Sequence, residues 1–215
     1  MSSNKDWNRD KETGEKYQDC IFYTLSVVLK TKIDGKDFNP LQWSSKYYQM
    51  LLGESYSGFE VKYNRDTVAD GKLGGVFIAT LENDYKKTTG ILQTECSHYV
   101  IGNQYLAYVF KTEDLRNLYQ GLKEGKRDPE YFLYRKDGKE GIVLKPEYLK
   151  RISRDYRTFR NDLNSYNVAM IPVYKPYLHN NKVYPVSAYK DDRGAEIECR
   201  KIEQAYRGIR DIIER

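Results

Sequence analysis

The stretch SHYVIGNQYLAYVF, residues 97–110, decides the fold because it reads as two neighbouring strands. Apolar and aromatic residues form two runs, 97–102 and 105–110, on either side of Asn103 and Gln104. Two such runs separated by a short polar turn predict adjacent strands. A sheet containing this pair is therefore the expected centre of the molecule.

A helix is predicted directly after this pair, in TEDLRNLYQGLKEG (112–125), with Thr112 as its cap. Glu113 and Asp114 fall in its first turn, where negative charge favours the helix dipole. Upstream, the periodicity of two over 57–64 predicts a strand with alternating faces. Its apolar face carries Phe59, Val61 and Tyr63, and its polar face carries Glu60 and Lys62.

The outer segments complete a mixed α/β pattern. Residues 1–12 are expected to be disordered, and helices are predicted over 14–30 and 40–52, followed by a strand at 76–81. The second half predicts a hairpin around 136–138, a basic helix from Pro146 to about Arg160, a strand at 168–174, a hairpin through 179–181 and a closing helix from about Ala195. We therefore expect one domain with a mixed central sheet flanked by helices.

Composition narrows the class of protein. The net charge is +5, and Lys and Arg exceed Asp and Glu only in residues 101–215, by 23 to 17, which favours a polyanionic partner. The polar N-terminus has no apolar signal region, and no run of about 20 apolar residues is present for a membrane span. Three widely spaced cysteines are read as reduced thiols, so we expect a cytoplasmic protein.

The chemistry is expected in residues 53–63, GESYSGFEVKY. Six acid-x-lysine triplets occur in the chain, but only Glu60-Val61-Lys62 has an apolar centre and an aromatic on each side, as a strand requires. Glu54 lies just upstream. Two neighbouring carboxylates suit Mg²⁺, and a lysine beside the metal-bound water can orient it. An exposed Glu–Lys pair on an edge strand is the alternative.

The run GESYSGFEVKYN, with GGVFIATLEN, SHYVIGN and YVFKTEDLR after it, resembles the PD-(D/E)XK nuclease superfamily, particularly its restriction-type and phage-borne members. The likeness covers roughly residues 13–120. It implies a restriction-endonuclease-like core over about 13–125 and a basic C-terminal α+β elaboration over about 126–215.

This resemblance also implies the roles of individual residues. Glu54 matches the first acid, Glu60 the second, Lys62 the lysine and Glu15 an accessory carboxylate, and Val61 would lend its backbone carbonyl to Mg²⁺, with Mn²⁺ as a substitute. The first acid is Glu rather than Asp, and it lies close to Glu60 in sequence. Asp34 and Asp37 are therefore alternative first ligands.

A row of basic residues in 145–160 is the candidate nucleic-acid contact: Lys150, Arg151, Arg154, Arg157 and Arg160. On a helix most of these would share one side and could follow a phosphate backbone, although a solvated helix face is the alternative. His98 lies in an apolar strand and is expected to be a satisfied core or rim residue. The sequence shows no P-loop, dinucleotide-binding glycine pattern or nucleophile elbow.

Together these features predict a Mg²⁺-dependent endonuclease that cuts DNA, of restriction or phage type. Cutting both strands would favour a homodimer. The alternatives are a nuclease-fold module that binds nucleic acid or a protein without cutting, and a tyrosine-rich interaction domain, since 21 residues are Tyr.

Overall fold

The computed structural model describes residues 4–38, 55–56, 58–64, 75–155 and 162–213, and the side chains of 12–38, 58–64, 75–155 and 162–207. The described helices are α1 (Asn4–Tyr23), continued by a π-helical turn (Thr24–Val28), α2 (Thr112–Lys123), α3 (Pro146–Ile152) and α4 (Asp192–Ile213). The described strands are β1 (Lys32–Ile33), β2 (Lys36–Asp37), β3 (Ser55–Tyr56), β4 (Phe59–Tyr63), β5 (Val76–Glu82), β6 (Lys87–Thr88), β7 (His98–Gly102), β8 (Leu106–Lys111), β9 (Tyr131–Lys136), β10 (Lys139–Leu144), β11 (Ser153–Asp155), β12 (Val168–Pro172), β13 (Tyr174–His179) and β14 (Lys182–Ser187).

A six-stranded mixed sheet lies at the centre, in the order β11-β12-β8-β7-β4-β3. The pairs β4/β7 and β11/β12 are parallel, and the other pairs are antiparallel. A four-stranded sheet, β6-β5-β10-β9, and the hairpins β1–β2 and β13–β14 surround it. The predicted α/β class with a mixed sheet is confirmed.

Apolar side chains cover both faces of the six-stranded sheet. On one face, α1 packs against β4, β7 and β8 in a cluster that includes Ile21, Leu25, Phe59, Val61 and Val100, here called the helix-side cluster. On the other face, the four-stranded sheet, α2 and α3 pack in a cluster that includes Ile78, Tyr99, Phe110, Leu115 and Ile142, here called the inter-sheet cluster. The sheet is therefore a buried middle layer.

Several predicted elements differ from the observed ones. Helix α1 begins at Asn4, inside the segment expected to be disordered, and contributes Tyr17 and Ile21 to the helix-side cluster. The π-helical turn that continues it contributes Leu25. Strand β5, predicted over 76–81, pairs with β10 in the four-stranded sheet and not with β4 or β7. Thr112 opens α2, but no side-chain hydrogen bond caps this helix. The predicted helix over 40–52 lies outside the described residues.

The predicted basic helix from Pro146 to about Arg160 is wrong in its second half. Helix α3 ends at Ile152, and Ser153–Asp155 instead form β11, which pairs in parallel with Val168–Met170 of β12 at the sheet edge. Strand pairing supplies the backbone hydrogen bonds that further helical turns would otherwise have supplied. Residues 156–160 lie outside the described residues.

The expected core (about 13–125) and C-terminal elaboration (about 126–215) share strand pairings. Strand β12 from the second half pairs with β8, and β10 pairs with β5. Both large sheets are thus built from both halves of the chain.

Candidate active site

Strand β4 places the candidate residues inside the six-stranded sheet, between β3 and β7. Phe59 and Val61 point into the helix-side cluster. Because side chains alternate along a strand, Glu60 and Lys62 project from the opposite face, beside Tyr99 and Ile101, their register partners on β7. The prediction that Glu60 and Lys62 share a face is confirmed.

The two side chains form a close ion pair. Lys62 Nζ lies 2.9 Å from Glu60 Oε1. Glu60 is only 6% exposed, and the side chain of Lys62 is 27% exposed. The alternative of a solvent-exposed pair on an edge strand is therefore wrong, because the carboxylate is buried and β4 has a neighbour on each side.

Burial changes the acid–base properties of this pair. Desolvation of the ammonium lowers the pKa of Lys62 to about 8. The adjacent Glu60 carboxylate acts in the opposite direction and favours the charged form of the lysine. Burial, followed by the negative charge of Glu60, raises the pKa of Tyr99 well above its ordinary value, so this phenol stays neutral. Lys62 can therefore exchange a proton near neutral pH.

Tyr99 is a residue that the sequence analysis did not single out. It lies 39 positions from Glu60 and becomes its neighbour only through the parallel register of β4 and β7. A strand pattern shows which residues share a face of their own strand but not which residue of another strand lies beside them.

The backbone of Val61 is directed away from β7. His98 N–H donates to Gly58 carbonyl at 3.1 Å, and Asn64 N–H donates to Gly102 carbonyl at 2.7 Å, so the even-numbered residues of β4 bond to β7. In a strand the odd-numbered carbonyls then point to the other side. The Val61 carbonyl therefore faces the β3 side and accepts no hydrogen bond from β7.

The other expected ligands are not brought to this face. Glu15 is exposed on α1, which packs against the face of β4 opposite Glu60. Asp34 lies at the turn of the β1–β2 hairpin, where it accepts a hydrogen bond from Asn164 Nδ2 at 2.7 Å, and its charge acts on His98, which is also on the helix-side face. Asp37 is exposed on β2. Glu54 lies outside the described residues.

The described residues supply part of a magnesium donor set. Glu60 offers a carboxylate and Val61 a carbonyl, which are oxygen ligands of the kind that Mg²⁺ prefers. Among the described residues, however, no group of three or more His, Cys, Asp or Glu side chains is arranged to hold a metal ion. Glu54, the expected first acid, lies outside the described residues and stays a prediction as the second carboxylate.

The basic residues do not form one row. Lys150 and Arg151 lie on α3, whereas Arg154 lies on the edge strand β11, and Arg157 and Arg160 fall outside the described residues. Arg151 donates from Nε to Glu130 at 3.0 Å, and its guanidinium lies 5.2 Å from the ring centroid of Tyr148. The guanidinium of Arg151 is thus paired with Glu130, whereas Lys150 and Arg154 are exposed.

His98 is a core residue, as expected, but it is not fully satisfied. Its ring stacks on Phe59 at 5.1 Å, and Nδ1 lies 2.9 Å from Ser97 Oγ. Nε2 is buried, and it has no hydrogen-bond partner in the described part of the chain. Burial and the nearby Lys111 charge lower the pKa of His98 to about 4 despite Asp34 and Asp162, so the ring is neutral at pH 7.

Comparison of the chain with protein-family models, curated proteins and solved structures found no match. Within the described residues, none of the helices has both the length and the apolar character needed to cross a membrane.

Proposed function

We propose that this protein is a metal-dependent endonuclease that hydrolyses phosphodiester bonds in DNA. The observation that carries the proposal is the buried Glu60–Lys62 pair. Burying these charges costs folding energy, and buried ionisable groups with shifted pKa values are concentrated at functional sites. The resemblance of residues 53–63 to the PD-(D/E)XK motif supports the same chemistry.

In this proposal, metal binding and proton transfer are assigned to separate residues. Glu60 and Glu54 would bind the ion through carboxylate oxygens, and Val61 through its outward carbonyl. A bound Mg²⁺ or Mn²⁺ would lower the pKa of a water molecule and neutralise charge on the phosphate. Lys62, close to its pKa at neutral pH, orients the attacking water and accepts a proton in its neutral form. Tyr99 stays protonated, so its hydroxyl can donate a hydrogen bond but does not act as a base.

Exposed basic residues are the proposed contacts to the phosphate backbone. Lys150 and Arg154 are exposed on neighbouring elements at one end of the six-stranded sheet, and Arg157 and Arg160 follow in sequence. Arg151 can contact a phosphate only if DNA displaces Glu130 from its guanidinium. A homodimer would cut both strands, and three free cysteines suit a cytoplasmic protein.

The test is cleavage of supercoiled plasmid in Mg²⁺ or Mn²⁺ by wild type and Glu60→Gln. Glutamine keeps the shape of the side chain and removes the charge that would bind the ion. We expect loss of cleavage by about 100-fold or more, the usual scale for removing one catalytic group. Glu95→Gln, an exposed acid remote from β4 in sequence, is the matched control and should cut like wild type. Equal cutting by all three proteins would refute the proposal.

A second function is favoured by one observation. Because Glu60 is buried and one of its oxygens already contacts Lys62, the pair can serve as a structural ion pair in a nuclease-fold module that binds nucleic acid or a protein without cutting. That module would show no cleavage with either metal and no change in thermal stability when Mn²⁺ is added, whereas a metal bound to the native state must stabilise it.

A further inference from the structure

The outer face of the four-stranded sheet carries three exposed aromatic side chains. Phe77 on β5 is 38% exposed, and Phe132 and Tyr134 on β9 are 40% and 37% exposed. Their neighbours along each strand, including Val76, Ile78 and Tyr131, are buried in the inter-sheet cluster. The three rings therefore lie on the side of this sheet that is turned away from Glu60 and Lys62. We call them the aromatic face.

The register joins the three rings into one surface. Val143 of β10 pairs with Phe77 on one side and Phe132 on the other, and Gly141 pairs with Tyr134. The ring of Phe77 lies over Gly141, where an added Cβ would come within 2.4 Å of Phe77 Cε2. Phe77 thereby reaches Tyr134, with ring centroids 5.8 Å apart. Glycine at 141 makes the surface continuous.

Lysines border this surface. Lys136 and Lys139 pair across the β9–β10 turn. Lys136 lies two residues after Tyr134, and Lys139 two residues before Gly141, on the same strand faces. Lys145 Nζ lies 5.9 Å from the ring centroid of Phe132. All three lysines are exposed, and none forms an ion pair with a carboxylate of the described residues. Two carboxylates lie at the turn, Asp137 within it and Asp84 against Gly138. Glu82, at the end of β5, is paired with Lys87 at 2.8 Å, and Glu130 is paired with Arg151. The three lysines therefore give the border of the aromatic face a net positive charge.

We propose that the aromatic face binds single-stranded nucleic acid, with bases stacked on Phe77, Phe132 and Tyr134 and phosphates on the bordering lysines. Exposed aromatic rings with adjacent cations bind unpaired bases without sequence preference. Phe132 and Tyr134 are two residues apart on a strand, about 6.6 Å, roughly twice the 3.4 Å spacing of stacked nucleotides in a duplex strand. Bases held at this spacing are separated from each other, which a duplex does not permit.

This site goes beyond the proposed cleavage, since it uses neither Glu60 nor Lys62. It can be tested in EDTA, where no metal-dependent cutting occurs. The probes are a fluorescein-labelled dT20, a duplex of the same length, and a 20-unit abasic strand that keeps the phosphates but has no bases. Fluorescence anisotropy measures Kd for each. We expect dT20 to bind tightest and the abasic strand to bind at least tenfold more weakly.

Variants then assign the binding to the face. Phe132→Ala and Tyr134→Ala should each weaken dT20 binding by roughly 5- to 100-fold, the effect of losing one stacked base. Tyr206→Ala, which removes a 69% exposed aromatic from α4, is the matched control and should bind like wild type. Circular dichroism and thermal unfolding of both variants check that the fold is kept, so that a loss of binding can be assigned to the rings. Lys136→Gln with Lys139→Gln should reduce the slope of log K against log salt by about 1.4.

Three results would overturn the proposal. Equal binding of dT20 and the abasic strand would mean that phosphate contacts suffice. Unchanged binding by Phe132→Ala and Tyr134→Ala would place the site elsewhere. A wild-type dimer that becomes monomeric in these variants, without any dT20 binding, would make the face an interface between two copies of the chain. Plasmid cleavage that depends on Glu60 can persist in each case. Failure of the binding proposal therefore does not contradict the cleavage proposal, and the two can be distinguished.

Discussion

At the scale of single residues, Lys62 combines burial with a charged neighbour. If the neutral amine acts in cleavage, the rate should rise with pH as Lys62 loses its proton and level off above about 8. Lys62→Arg should show no such inflection, because guanidinium stays charged throughout this range. The measurement is a pH–rate profile between pH 6 and 9.5, with NMR titration of the Lys62 Cε signal. A midpoint near the ordinary lysine value of about 10.4 would contradict the prediction.

A second buried carboxylate, Glu140, holds β10 to its surroundings. Tyr119 hydroxyl donates to Oε1 at 2.5 Å, Arg135 Nε donates to Oε2, and Lys123 Nζ lies 3.8 Å from Oε2. Burial alone would raise the pKa of Glu140, but these hydrogen bonds and charges outweigh it and lower the pKa. A lowered pKa in the folded state means that the carboxylate stabilises the protein above the unfolded-state pKa.

Glu140→Gln should therefore destabilise the protein by about 1–3 kcal/mol at pH 7, since it removes the charge from a buried group that accepts hydrogen bonds from Tyr119 and Arg135. The difference from wild type should shrink as pH falls below about 4.3, the ordinary glutamate pKa, and through the lower folded value, because wild-type Glu140 then takes up a proton. Urea unfolding at pH 7 and pH 3 measures both. Glu95→Gln is the exposed control, and a difference independent of pH would exclude this account.

At the scale of elements, the β7–β8 turn depends on Asn103. This side chain is 1% exposed, and its Oδ1 accepts hydrogen bonds from Tyr105 N–H at 2.9 Å and Leu106 N–H at 3.1 Å. Gly102 beside it approaches β8 so closely that a Cβ would lie 2.2 Å from the Leu106 carbonyl oxygen. The turn thus sets the register of β7 against β8, and with it the position of Tyr99.

Asn103→Ala should lower the free energy of unfolding by about 1–3 kcal/mol, because two part-buried N–H groups lose their acceptor. Asn103→Ser keeps an accepting oxygen, which makes such turn hydrogen bonds more weakly, and should cost less. Chemical denaturation of both variants provides the measurement. Equal destabilisation by the two substitutions would show that the acceptor oxygen is not what stabilises the turn.

At the scale of the whole molecule, the two large sheets make the halves of the chain interdependent. A fragment of residues 1–125 lacks β12, the partner of β8, and β10, the partner of β5. We expect this fragment to show no cooperative thermal unfolding, since it exposes two strand edges and much of the inter-sheet cluster. A chain ending at residue 190 keeps both sheets and should unfold cooperatively. Cooperative unfolding of the short fragment would show that residues 1–125 fold without the rest of the chain.

Local pattern was sufficient for most strands and for the shared face of Glu60 and Lys62. Alternation with a period of two depends on each strand alone, so β4, β7 and β8 were predictable from their own residues. The same reasoning could not assign the face of β9, because YFLYRK has large apolar side chains on both sides. Which side is buried depends on the sheet that packs against it, so Phe132 and Tyr134 were not predicted to be exposed.

The amino-acid sequence by itself determined the α/β class, the strand positions and the orientation of Glu60 and Lys62, because these follow from interactions between residues near each other in the chain. Tertiary structure alone decided that this pair is buried beside Tyr99, that Arg154 lies on a sheet edge and that β5 belongs to a second sheet. These depend on pairing between segments far apart in the chain, which periodicity within one segment does not specify.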